Sequence, residues 1–151
     1  MKTLVLGLGN PILSDDGAGI RIAQEVGKQL NDPQITVSET SAAGLSLLDS
    51  IVGYDKVIII DAIQTKKGQA GQIYRMKSED FSFAKHFSSP HQTNLVTALE
   101  LGKMLHLVMP QKITIFAVEA KDIASFSEKC TPEVERAIPE AVKMVIEELV
   151  G

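Results

Sequence analysis

Two adjacent carboxylates, Asp15 and Asp16, stand one loop beyond the first apolar run, in Gly7-Leu8-Gly9-Asn10-Pro11-Ile12-Leu13-Ser14-Asp15-Asp16-Gly17-Ala18-Gly19. A third, Asp61, closes the β-branched run Val57-Ile58-Ile59-Ile60. An imidazole, His91, follows a proline in Ser88-Ser89-Pro90-His91-Gln92-Thr93. Carboxylate oxygens with a neutral imidazole, and no thiolate, suit a borderline divalent metal such as nickel or zinc. Three protein ligands leave coordination positions open for water or a substrate group. Each residue also has a plainer role. One acid of the pair can cap the following helix, worth about 1 kcal/mol, but a cap accounts for one acid and not two. Asp61 is placed to bond a neighbouring loop, and His91 reads equally as a loop histidine. Their shared placement at the carboxyl ends of strands carries the inference, because open α/β sheets bind ligands there.

The elements that must position these groups follow from periodicity. Thr3 to Leu8 is a continuous apolar run, the pattern of a strand covered on both faces. Ile22, Val26 and Leu30 form a helical stripe within 20–30, ended by Asn31-Asp32-Pro33. Strands are expected over 35–39, 56–61, 71–76 and 112–118, with helices over 44–52 and 93–107. Lys66-Lys67-Gly68 marks a turn. Thr131-Pro132-Glu133 opens a last helix with a capping hydroxyl, Pro at the first position and an acid in the first turn. Pro139 is expected to kink or restart that helix. The order β-α-β-α-β-β-α-β-α predicts a three-layer α/β sandwich with a mostly parallel five-stranded sheet and helices on both faces. The fourth strand is expected to be antiparallel, since the turn before it is too short for a crossover. Residues 1–151 are read as one domain.

Composition narrows the function. Fifteen basic against 19 acidic residues give a net charge of −4, unlike the basic footprint of a general nucleic-acid binder. The single cysteine, Cys130, permits no internal disulfide and no cysteine metal cluster. A reduced, cytoplasmic setting is expected. Cys130 lacks a nearby histidine in sequence, so a structural role is favoured over a nucleophilic one. No apolar run approaches the ~20 residues of a membrane span. Gly7-Leu8-Gly9 departs from the dinucleotide fingerprint at Ile12, and Asp15-Asp16 would repel a pyrophosphate at the helix start. Glu39 and Glu119 also fall at strand ends. His86 is a weaker candidate, and His106 is expected near a helix end, answering the dipole. Phe81, Phe83 and Phe87 in the 78–92 loop are read as anchors to the core, with a docking patch as the sharper alternative.

Three blocks resemble the hydrogenase maturation proteases: Gly7-x-Gly9-Asn10 with Asp15-Asp16 and Gly19, Asp61-Ala62 after a β-branched strand, and Ser89-Pro90-His91-Gln92. The resemblance runs over nearly the whole chain. It departs in Glu39-Thr40-Ser41-Ala42-Ala43-Gly44, where many relatives have an acid followed by Gly-rich residues and Thr. The resemblance implies an endopeptidase, acting as a monomer, that removes the C-terminal extension of a nickel-loaded [NiFe]-hydrogenase large-subunit precursor. It implies that Asp16, Asp61 and His91 are the metal-reading and catalytic residues, with Ni2+ carried by the precursor and either Asp16 or Asp61 available as general base. Two other readings stand beside it. Gly-Leu-Gly-Asn-Pro also opens peptidyl-tRNA hydrolases, which need a histidine shortly afterwards; here the first is His86. A non-enzymatic nickel carrier or maturation chaperone would use the same three residues.

Overall fold

Ile58, Ile59 and Ile60 are fully buried because the strand that carries them is the centre of the sheet. The computed structural model describes residues 1–41, 45–77, 87–88 and 92–151. Strand β1 (Thr3–Leu8) leads through a 3-10 turn (Ser14–Gly17) into α1 (Ala18–Gln29). Then follow β2 (Ile35–Thr40), α2 (Leu45–Ile51), β3 (Lys56–Thr65), β4 (Ile73–Lys77) and the short β5 (Phe87–Ser88). Helix α3 (Gln92–Met104), β6 (Lys112–Glu119) and α4 (Pro132–Val150) complete the described elements. The main sheet runs β2-β1-β3-β6-β4, and β5 pairs with the end of β3. The pairs among β2, β1, β3 and β6 are parallel. Strand β4 is antiparallel as expected, and its partner is β6, not the β3 that precedes it.

Alternation along the strands divides the core in two. Val5, Ile58, Ile60, Phe116 and Val118 face Ile22 and Val26 of α1 and Val134, Ile138 and Val145 of α4. Leu4, Leu6, Val57, Ile59 and Ile115 face Leu47 and Ile51 of α2 and Leu95 and Ala98 of α3. The three-layer sandwich is therefore a direct product of period-two alternation on β-branched strands. Each fully buried isoleucine contributes about 1.5–3 kcal/mol relative to exposure.

Two local expectations change. Strand β3 does not stop at Asp61 but continues to Thr65. Its pairing with β1 ends at Gly7↔Ile60, while β6 follows it to Ile63↔Glu119. Helix α4 also runs unbroken through Pro139. Pro139 lies on the exposed side, while Val134, Ile138, Ala141 and Val145 hold both halves against the core.

Candidate active site

The sheet reverses its winding between β1 and β3. Helix α1 leaves β1 toward one face, whereas α2 and α3 cover the other. The crevice beyond β1 and β3 is thus the topological switch point, the default ligand position of an open α/β sheet. Asp16 lies beside it, in the 3-10 turn after β1. Asp61 is the first residue of β3 beyond the β1 pairing.

Glycines permit the close approach of the backbone here. A β-carbon on Gly19 would overlap the carbonyl oxygen of Ile60 and lie 2.6 Å from that of Leu8. One on Gly7 would lie 2.5 Å from the carbonyl oxygen of Gly19. The first turn of α1 therefore rests backbone to backbone on β1 and β3, and the turn carrying Asp16 packs against β3. Gly9 has φ of 150°, a conformation L side chains avoid, and any β-carbon there would overlap the Asp16 carbonyl oxygen.

Asp16 is 2% exposed. The Asn10 amide donates to its Oδ2 at 3.0 Å. Asn10 is held in turn by its own loop: its side-chain oxygen accepts from the Ile12 amide at 3.2 Å and its carbonyl from the Leu13 amide at 3.1 Å. Asp61 is 1% exposed, and the Ala62 amide donates to its Oδ1 at 2.8 Å. Both carboxylates are thus buried and oriented by a main-chain amide. Their oxygen donors fit a hard or borderline cation. His91 lies outside the described residues, immediately before the start of α3. Among the described residues no three His, Cys, Asp or Glu side chains gather into a metal-binding group.

Asp15 does something different from its neighbour. Its side chain caps neither the 3-10 turn nor α1. It accepts instead from the amides of Lys121 (2.8 Å), Asp122 (3.0 Å) and Thr131 (2.7 Å), and from the Thr131 hydroxyl at 2.9 Å. The same contact corrects the expectation for Thr131, whose hydroxyl makes no capping bond to α4. The hydroxyl is taken up by a carboxylate 116 residues earlier in the chain. Neither partner has a local sequence signal for the other.

The remaining candidates have structural partners. Glu119 is buried, accepting from the Thr65 amide (2.8 Å), the Thr65 hydroxyl (2.6 Å) and the Tyr74 hydroxyl (2.8 Å). Burial, with Glu119 alongside, pushes the Tyr74 phenol above its ordinary range. Glu39 pairs with Gln24 on the surface at 2.9 Å. Cys130 is buried, its sulfur 3.8 Å from the Ser14 carbonyl oxygen. Burial pushes its thiol up, with Arg21 only partly opposing. His106 sits just past α3 with φ of 55°. Its amide bonds the Lys103 carbonyl at 3.2 Å, and the Leu107 amide bonds that of Gly102 at 3.0 Å. This is a Schellman stop, so His106 serves the helix end through its backbone. His86 and the side chains of Phe81, Phe83 and Phe87 lie outside the described residues. Sequence reading missed Phe126, which is 84% exposed on a loop whose Ser127 amide donates to the Ile12 carbonyl at 2.9 Å.

The arrangement has close relatives. The family model for hydrogenase maturation proteases matches residues 20–148. The hydrogenase 2 maturation protease of Escherichia coli is 30% identical over 148 residues, covering 97% of this chain and 89% of the relative. The solved hydrogenase maturating endopeptidase HybD from E. coli superposes with a TM-score of 0.87 at 30% identity, covering 99% of this chain and 92% of that one. A [NiFe] hydrogenase maturation protease from Thermococcus kodakarensis shares the fold, with a TM-score of 0.80 at 22% identity over 97% of this chain and 98% of that one. The chain belongs to the hydrogenase maturation protease family. It is accordingly a peptidase, a maturation endopeptidase rather than a peptidyl-tRNA hydrolase. No helix among the described residues is long and apolar enough to cross a membrane.

Proposed function

We propose that this chain removes the C-terminal extension of a [NiFe]-hydrogenase large-subunit precursor once nickel has been inserted, and that Asp16, Asp61 and His91 read that nickel. The observation that carries the proposal is the burial of two carboxylates beside the switch point, one in the turn after β1 and one in β3, each oriented by a neighbouring amide. In this reading the precursor brings the metal and part of its coordination. Asp16, Asp61 and His91 complete it with oxygen and nitrogen donors. A precursor without nickel would lack the group that docks it, so cleavage waits for metal insertion. A metal so held can polarise the scissile carbonyl or activate the attacking water. The two carboxylates are the bases at hand for the water's proton, which makes the chemistry aspartyl in type. The reaction calls for a compartment where precursor and protease meet before the enzyme matures, and we place it in the cytoplasm.

The test is incubation with nickel-loaded and nickel-free precursor, reading the shortened product by mass. Only the loaded form should be cut. Asp16→Ala, Asp61→Ala and His91→Ala should each abolish cutting while circular dichroism stays unchanged. Full activity of His91→Ala would remove His91 from the site, and equal cutting of nickel-free precursor would remove nickel reading. Tight nickel binding by the chain alone, without cutting, would favour a nickel carrier instead.

A further inference from the structure

Asp15 is completely buried, yet the groups that answer its charge are main-chain amides and one hydroxyl. Burying a carboxylate is costly unless it is well hydrogen-bonded. Four donors meet that cost here, and three of them are fixed by the backbone and cannot swing. They come from the loop after β6 and from the residue that precedes α4. The attachment is reinforced on either side. The Asp15 amide donates to the Asp122 carbonyl at 2.9 Å, the Ser14 amide to the Ser127 carbonyl at 2.9 Å, and Leu13 bridges Ser127. Asp15 and Asp16 are consecutive on one 3-10 turn. Fixing the first therefore fixes the direction in which the second projects.

We infer that Asp15 is a positioning residue: by binding Thr131 and the Lys121 and Asp122 amides, it makes the β6–α4 loop set the aim of Asp16. The inference rests on the reading of Asp16 given above. An apolar contact of the same size would hold the loop down equally well. A carboxylate gripped by rigid amides also fixes orientation, and reacting geometry tolerates little error: a displacement of about 1 Å can cost 100-fold in rate. Partners behind a ligating group typically contribute 10–100-fold to metal affinity or activity.

The test uses Asp15→Asn, Thr131→Val and Thr131→Ser. On nickel-loaded precursor, Asp15→Asn and Thr131→Val should lower kcat by about 10–100-fold with little change in KM, and Thr131→Ser should restore it. A second readout needs no activity. The Asn10 amide, which donates to Asp16 Oδ2, should lose hydrogen-exchange protection in Thr131→Val, while the Ile59 amide of the central strand keeps its own. Loss of both protections together, or lowered stability with unchanged kcat, would overturn the inference and leave Asp15 a fastening of the fold. If Asp15→Asn does not fold, the Thr131 pair decides alone. If the native chain fails to cut loaded precursor, the functional reading falls, and the Asn10 exchange still decides whether Asp15 aims Asp16.

Discussion

Gly19 lies so close to Ile60 that a β-carbon on the first would overlap the carbonyl oxygen of the second. This contact lays the start of α1 on the central strand one residue short of Asp61. It joins a helix and a strand at residues 41 apart in sequence.

Gly19→Ala should therefore destabilise the protein. In an ordinary helix Gly→Ala gains about 1 kcal/mol. Here the methyl group meets two carbonyls, and overpacking costs about 1–3 kcal/mol. Urea denaturation should show a lower midpoint, and precursor processing should fall further than stability does, because the Asp16 turn is pushed off β3. A raised midpoint would mean that the helix has room to spare.

The Cys130 thiol should be inert in the native protein. It is 7% exposed and burial pushes it above its ordinary range, so little thiolate exists near neutral pH. Alkylation should proceed only on unfolding, and Cys130→Ala should still process precursor. Rapid alkylation of the native protein would contradict this burial.

Stability should carry an acid-side signature from Glu135. Its hydrogen bond with Arg21 holds the carboxyl below its ordinary range, against the opposing pull of burial. The folded pKa is therefore below the unfolded one. The stabilisation is present in full above the unfolded value and is lost as pH falls through the folded value. The pair is about one-third exposed, so its worth is modest, below about 1 kcal/mol. The melting-temperature gap between the native chain and Glu135→Gln should be largest near neutrality and close below the ordinary carboxylate range. A gap independent of pH would assign the effect to packing.

His106→Gly should raise stability by about 1 kcal/mol, because His106 occupies a left-handed position at the end of α3 that only glycine adopts without strain. Thermal unfolding measures it. A fall in melting temperature would show that the imidazole contributes more than its backbone position costs.

Much of the molecule can be read from the chain alone. The β-branched run before Asp61, the stripe of Ile22 and Val26, and the Thr131-Pro132 start each carry a local signal of 2.0 or 3.6 periodicity or of capping chemistry. These signals suffice for the order of the main elements and for the sandwich, but not for β5, which falls where the sequence reads as a loop. Asp16 and Asp61 are legible as candidates from their place after apolar runs, but their burial is not, nor is the continuation of β3 past Asp61. Other matters depend on contacts between distant segments. Pro139 reads as a kink or restart, and there is no restart: the helix is continuous, with buried faces on both sides packed on the same core. Thr131 reads as a cap, as does one acid of the Asp15–Asp16 pair, yet Asp15 and Thr131 are partners across 116 residues. The approach of Gly19 to Ile60 leaves no mark in sequence beyond two glycines. Which main elements form is written in the chain, since periodicity and turns depend on neighbours a few residues away. That Asp16 sits in a turn packed against β3, and Asp15 against the β6–α4 loop, is set by backbone contacts between segments far apart along the chain, which leave no local mark.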